Sequence, residues 1–412
     1  MALFTGFVSD RLRRNISQWL KTFDIHRHVG LIEIGQGSGA GLLAGRWLEA
    51  AVRATEWDGD PFLRQRASGM LDRILGAQRS GPGAPFPWMT RPENQAMAGA
   101  LEAAADLWQN GPAEALLARL ALPTEASGRF GPDAATAIRT TTVERLETLL
   151  PDLKLALERT GDGIWGDALE SLLWNQVFAC QSLEGDAFYA ATPLHGVPSA
   201  AGAREGVTGA LMLTRIPWMF YSSGHDSVQV LQYGASEVRV EIGGHQSVGL
   251  AQLTSFPDGE EVSLAVRSGG GEFNLQMRIP RWCQTPSLRL VSPGEADNPV
   301  VVRPEKGFFS LRRKWQRGDK VMLRFPMAPT WSQDQAGSFE LRRGPLLYCF
   351  RTPGVPRLLR PTLRPMGTPT GYPGPVYEVR VRLASGQEAT VLAEPFACAG
   401  WGGAYQTALS AE

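Results

Sequence analysis

The spacing of apolar residues changes period once along this chain. Up to about residue 223 they recur at helical intervals, and from about residue 224 they alternate two by two. In the first half, Leu12, Ile16 and Leu20 share one face of SDRLRRNISQWLKTF, and Ser9 or Asp10 supplies a cap. GLLAGRWLEAAVRATEW follows, then PFLRQRASGMLDRILGAQRSG, with Pro61 suited to a first helical turn and Ser-Gly to a stop. ENQAMAGALEAAADLWQNG predicts another helix, and so does TTTVERLETLLPDLKLALERTGDG, where Pro151 is expected to kink or divide it. The stretch Asp167 to Leu194 begins as a helix through Leu169, Leu172, Leu173, Val177 and Cys180. It leaves through the turn residues EGD into the aromatic strand FYAA. VTGALMLTRIPWMFYSS completes this half.

Helical hairpins without intervening strands predict a bundle or an (α/α) toroid, and no fixed repeat marks a solenoid. The second half reads as short strands, among them SVQVLQYG, EVRVEIGG, FNLQMRIP, KVMLRFP, LLYCFR and VYEVRVRL, broken by Gly, Pro, Asp and Asn. Such spacing is that of an antiparallel sandwich. The Pro- and Gly-rich TPGVPRLLRPTLRPMGTPTGYPGP is expected to be an extended surface connection rather than a strand. The expected fold is therefore an incomplete (α/α) toroid over 1–223, a β-sandwich domain over 224–335, and a β-rich segment over 336–412 that packs on the rest.

At 412 residues the chain exceeds one ordinary hydrophobic core. Lys plus Arg and Asp plus Glu balance at 41 each, so no net field recruits nucleic acid or an anionic membrane. No apolar run approaches the ~20 residues of a membrane span, and MALFTGFVSDRLRRNISQWL has no sustained apolar core or cleavage site of a secretory signal. Cys180, Cys283, Cys349 and Cys398 are widely spaced in apolar contexts, which predicts buried free thiols and a cytoplasmic setting.

The 167–194 stretch resembles a segment of the zinc-cysteine beta-L-arabinofuranosidases, glycoside hydrolase family 127. Glu170, Asn175, Ser182, Leu183, Gly185, Phe188, Pro193 and Leu194 carry the match. WLEAAVRATEWDGDPFLRQRASGMLDRILGAQRSG, ENQAMAGALEAAADLW, FNLQMRIPRW, GFFSLRRKWQRGDKVMLRFPMAP, FELRRGPLLYCF and AEPFACAGWGG resemble further family segments in the same order. The resemblance implies a toroid followed by β modules, with family helices missing between about Leu120 and Thr140. It also implies zinc held by a Glu, a Cys two residues later, and an adjacent Cys pair, one of which is the covalent nucleophile. Thiolates suit both roles.

Those residues have changed here. Aligned on Arg215, Thr208 and Gly209 stand where the Cys pair would be, and Thr142 and Glu144 stand near the Glu and first Cys. The family's histidines correspond to Pro92 and Ala100, and of that polar set only Glu93 remains. No metal site and no cofactor is expected from this set.

Glu93 and Glu144 are the candidate acid-base pair of a metal-free glycosidase. Glu93 reads equally as a helix cap after Pro92, and Glu144 with Glu147 as a solvated face behind a capping threonine. Trp47, Trp88, Trp218 and Tyr189 would border the toroid mouth implied by the resemblance and could stack on sugar rings or on a polycyclic hydrophobe; each also reads as core. Thr208 is a candidate substrate contact. Arg215 would hold an anionic group or form an internal salt bridge. Glu56, Asp58 and Asp60 read as a helix-connecting turn, His26 and His28 as a solvent-facing helix end, and GQGSGAG at 35–41 as a weak phosphate-loop signal.

The expected activity is that of a divergent glycoside-hydrolase-like enzyme on a sugar-containing small molecule. The alternatives are a cyclase, lyase or isomerase using the pocket for a hydrophobic metabolite, and a non-catalytic carbohydrate-binding or interaction protein. The partner expected is a small molecule, with no nucleic acid and no membrane, and a homodimer through the β domains is compatible with the resemblance.

Overall fold

The structure, a computed structural model, describes residues 2–81, 83–120, 142–244, 246–295, 298–333, 337–352, 356–383 and 385–411. Its first half is helical: α1 (Gly6–Arg14), α2 (Ile25–Glu33), α3 (Ala40–Asp58), α4 (Pro61–Ala77), α5 (Arg91–Trp108), α6 (Gly111–Leu120), α7 (Val143–Thr160), α8 (Gly163–Ser171) and α9 (Ala203–Thr214). The expected gap in the helical ring, Leu120 to Thr140, falls almost entirely outside the described residues. Two π-helical turns, Asn15–Leu20 and Leu172–Val177, continue α1 and α8, which apolar spacing alone did not reveal. Pro151 does not divide α7, which runs through it as one helix with the proline on its exposed side.

The helices α3, α5, α7 and α9 lie side by side with their N-termini at one end. Gly39 and Gly41 at the start of α3 both reach Glu93 in the first turn of α5. Arg204 at the start of α9 pairs with Glu144 at the start of α7. The close packing of α3 on α5 depends on Gly45, because a Cβ there would stand 2.5 Å from the carbonyl carbon of Ala96. This inner group forms the wall of the expected toroid.

The middle of the chain is a sandwich of a seven-stranded and a four-stranded sheet. In strand Ser236–Ile242, buried Val238, Val240 and Ile242 alternate with exposed Glu237, Arg239 and Glu241. The seven-stranded sheet recruits the chain's N-terminus, since Ala2–Phe4 pairs antiparallel with Ser236–Ile242. A strand so short and so remote in sequence has no periodic signature. In the C-terminal part, Phe339–Arg343 pairs with both Leu346–Phe350 and Ala408–Ala411, so the sheet closes on itself as a barrel. Arg357–Gly367, expected to be a loose connection, is a strand of this barrel paired with Val376–Arg382. A register shift interrupts this pairing between Leu358 and Leu363. The four cysteines are free and buried, as their contexts predict.

The helical half is fastened to the sandwich by one buried arginine. Arg278, at the end of strand Gly271–Arg278, is 0% exposed. Its guanidinium donates to Asp167 Oδ1 at 2.6 Å, to Glu170 Oε1, and to the carbonyl of Leu231 at 2.7 Å. Trp282 Nε1 donates to the second oxygen of Glu170 at 2.8 Å. Five residues on, Asn175 binds the barrel twice, donating to the carbonyl of Pro345 and accepting from Leu347 N. Glu170 and Asn175 thus hold both β modules. Replacing Arg278 by Leu leaves Glu170 buried beside no cation, while Asp167 keeps the exposed Arg281 at 3.9 Å; an uncompensated buried charge costs about 3–5 kcal/mol. Urea unfolding should show a loss of that size for Arg278→Leu, and less than 1 kcal/mol for the exposed control Arg380→Leu.

Candidate functional site

From the mouth end of the inner helices toward their C-termini, α3, α7 and α9 contribute a continuous chain of arginines and glutamates. Arg46 and Glu49 lie one turn apart on α3, as do Glu144 and Glu147 on α7, so each pair projects from one helix face. Arg46 donates to Thr208 Oγ1 at 2.7 Å and to Glu147 Oε2 at 3.1 Å. Arg215 donates to the other Glu147 oxygen at 3.1 Å and grips Glu49 with two bonds of 3.0 and 2.9 Å. Arg53 reaches Glu49 at 2.8 Å, and its guanidinium lies 4.8 Å over the Trp218 ring. At the open end Arg204 pairs with Glu144 at 2.6 Å, and Thr208 donates to the Arg204 carbonyl. The chain runs from a deep end at Glu49, 4% exposed, to an open end where the Glu144 side chain is 42% exposed.

Burial alone would push the Glu49 carboxyl up, but Arg215 and Arg53 outweigh it and hold it below its ordinary value. A depressed carboxylate contributes stability that is complete above its unfolded pKa and is lost as pH falls through the folded one. Urea midpoints should therefore drop between pH 5 and pH 3, and Glu49→Gln should lower the midpoint at pH 7 while flattening that acid limb.

The candidate residues divide by place. Thr208 is joined to Glu144 through Arg204, whose carbonyl accepts from Thr208 and whose guanidinium pairs with Glu144; being fully buried, Thr208 is corrected from substrate contact to a residue that ties these helices together. Glu93 closes two helix starts: Oε1 accepts from Gly39 N at 2.8 Å and Gly41 N at 3.2 Å, and Oε2 accepts from Thr90 N and Thr90 Oγ1 at 2.9 and 2.7 Å. With both oxygens taken and the residue 4% exposed, it is the capping carboxylate of α5 and not a free acid. In the glycine-rich segment 35–41, Gly39 N and Gly41 N are engaged by Glu93, and Gly35 N, Gln36 N and Ala40 N by the carbonyls of Ile32, Leu31 and Gly37. Arg215 forms the internal salt bridge.

Trp47 is corrected from sugar platform to core: it is fully buried, and its Nε1 donates to the carbonyl of Leu20. Trp88 is partly buried between Gly35 and the Arg79 guanidinium, near the start of α5. Tyr189, in a strand pinned to α7 by the Thr142–Ala191 bridge, turns its ring against Gly400. Trp218 lies past the end of α9, beside the last turns of α7, and so at the opposite end from Glu144. The Glu56, Asp58 and Asp60 group is taken up by Arg64, Arg13 and Lys21, and Asp60 also caps α4.

Arg46, Glu49, Glu147 and Arg204 belong to the cluster without having been singled out as site residues. A signal existed in α3, where Arg46, Glu49 and Arg53 recur at helical spacing inside an otherwise Ala- and Leu-rich helix. Charges in that pattern on a helix buried on most sides require partners.

The zinc implied by the resemblance does not fit these residues. Thr142, Glu144, Thr208 and Gly209 provide no thiolate, and among the described residues no group of three His, Cys, Asp or Glu could hold a metal ion. The nucleophile position is also closed, because a Cβ on Gly209 would stand 2.3 Å from Phe188 Cδ1.

Residues 227–327 match the family model described as the beta-L-arabinofuranosidase, GH127 middle domain. The whole chain superimposes on a GH127 beta-L-arabinofuranosidase from Geobacillus stearothermophilus with a TM-score of 0.81 at 16% identity, covering 100% of both chains. Residues 227–327 are thus similar to the GH127 middle domain, and the chain has the fold of this solved structure. A second GH127 beta-arabinofuranosidase matches with a TM-score of 0.80 at 14% identity, covering 100% of this chain and 96% of that one. A further structure described as a glycoside hydrolase matches with a TM-score of 0.78, also at 14% identity. No curated protein matches the sequence. The matched residues 227–327 lie in the sandwich that Arg278 fastens to the helices. No helix among the described residues is long and apolar enough to cross a membrane.

Proposed function

We propose that this GH127-fold chain acts on a glycoside through carboxylates at the mouth of its helical ring, without a thiolate. The observation that carries the reading is the convergence of Glu144 and Thr208, two positions where the resemblance puts ligand and nucleophile, in one Arg-Glu cluster. Glu144 is the accessible carboxylate, and Glu147 stands one turn further into the ring, about 5–6 Å away between Cβ atoms. In this reading Glu144 gives a proton to the leaving oxygen as the glycosidic bond breaks. Glu147, oriented by Arg46 and Arg215, opposes the positive charge developing at the anomeric carbon. Water then adds to that carbon and gives a proton to the Glu144 carboxylate, which restores the acid for the next turnover. Thr208 is fully buried and accepts from Arg46, so in this reading it positions that guanidinium instead of touching the sugar.

A second reading, sugar binding without turnover, is favoured by the pairing of both Glu147 oxygens with guanidinium groups. A panel of chromogenic furanosides and pyranosides, assayed with excess chelator, separates the two. Turnover that persists with chelator and falls at least 100-fold in Glu144→Gln, with the melting temperature kept, supports the proposal. Equal turnover in Glu144→Gln would overturn it, and calorimetric sugar binding without turnover selects the second reading. Glu93→Gln should instead lower the melting temperature, since an amide leaves a cap donor of α3 or α5 unsatisfied.

A further inference from the structure

A second cavity opens where the helical half meets the sandwich, far from the mouth. It has a volume of about 320 Å³ and lies between the last turns of α7, the 3-10 turn Ile216–Met219, strand Tyr221–Ser223 and the outward face of strand Ser236–Ile242. That volume is within the range of small-ligand sites, roughly 300–1,000 Å³. Glu158 in its wall is fourteen residues along α7 from Glu144, roughly 20 Å at the helical rise. A monosaccharide cannot touch both.

The lining fits one chemical class. Trp218 supplies an indole held in place by the Arg53 guanidinium at 4.8 Å. Lys154 pairs with Glu158, and Ser222 Oγ donates to Glu158 at 2.9 Å. Arg239 and Glu241 stand on the exposed side of their strand, alternating with the buried valines. The fixed charges of the cavity cancel, two cations (Lys154, Arg239) against two anions (Glu158, Glu241), so nothing in it calls for a charged ligand. Ammonium and guanidinium donors, carboxylate acceptors and a hydroxyl are instead presented together around an aromatic ring. A sugar's hydroxyls each donate and accept, and its C–H face is apolar, so a saccharide matches both halves of this surface.

We infer that this junction cavity is an accessory binding site for a neutral saccharide, resting a ring on Trp218 and independent of turnover at Glu144. Saturation-transfer NMR of the full chain, carrying Glu144→Gln to prevent hydrolysis, with neutral pentose and hexose trisaccharides and with glucuronate as the charged comparator, tests it. The expected result is binding of at least one neutral trisaccharide, weakened tenfold or more by Trp218→Ala and by Ser223→Arg, which fills the cavity from its exposed rim without touching the Arg53 stack. Glucuronate should bind no better than it does to Ser223→Arg. Failure of every trisaccharide to bind, binding unchanged by Ser223→Arg, or glucuronate binding as tightly as the trisaccharides would overturn the inference. None of these outcomes bears on Glu144, whose role is read by turnover alone.

Discussion

Arg278 is the constraint on which the three parts of the molecule depend. A fully buried guanidinium is tolerated only where carboxylates and carbonyls take up its donors, and here they come from α8 and from Leu231, just past the sandwich strand Ser227–Val230. The stretch 167–194 is therefore a junction more than a scaffold. Its Glu170 meets the sandwich through Arg278 and Trp282, its Asn175 meets the barrel, and the carbonyls of Gln181, Ser182 and Leu183 receive Arg11 from the first helix. This explains why residues with no place in the mouth cluster carry the clearest resemblance in the chain. Their side chains are chosen by partners in other domains.

The mouth cluster follows a different logic. In GH127 relatives the resemblance puts thiolates and zinc at this place, whereas here oxygen and guanidinium groups meet, and Phe188 fills the space beside Gly209. In the deep end two carboxylates, Glu49 and Glu147, bridge three guanidinium groups, Arg46, Arg53 and Arg215, which leaves one net positive charge. That arrangement is rigid and largely self-satisfied. The Glu144 and Arg204 end carries the most exposed side chains of the cluster, whereas Glu49, Glu147 and Arg46 are largely buried.

Helical and strand halves were legible because burial on one face imposes period 3.6 or period 2 on the sequence, and α3, α5, α7 and strand Ser236–Ile242 obey it plainly. The sequence also determined the absence of a Cys pair at Thr208 and Gly209, and the buried free state of the four cysteines. Partnership between distant residues was another matter. Whether Glu93 was a cap or an acid depended on Gly39 and Gly41, more than fifty residues earlier, and Trp47 and Trp218 read alike until one proved to be core and the other to face a junction. Ala2–Phe4 and Arg357–Gly367 became strands only because a sheet edge stood ready to pair with them. Period records which face of an element is buried, but not against what. The destination of each charge and ring was decided by the tertiary structure, because ion pairs and stacking form between side chains that only folding brings within reach.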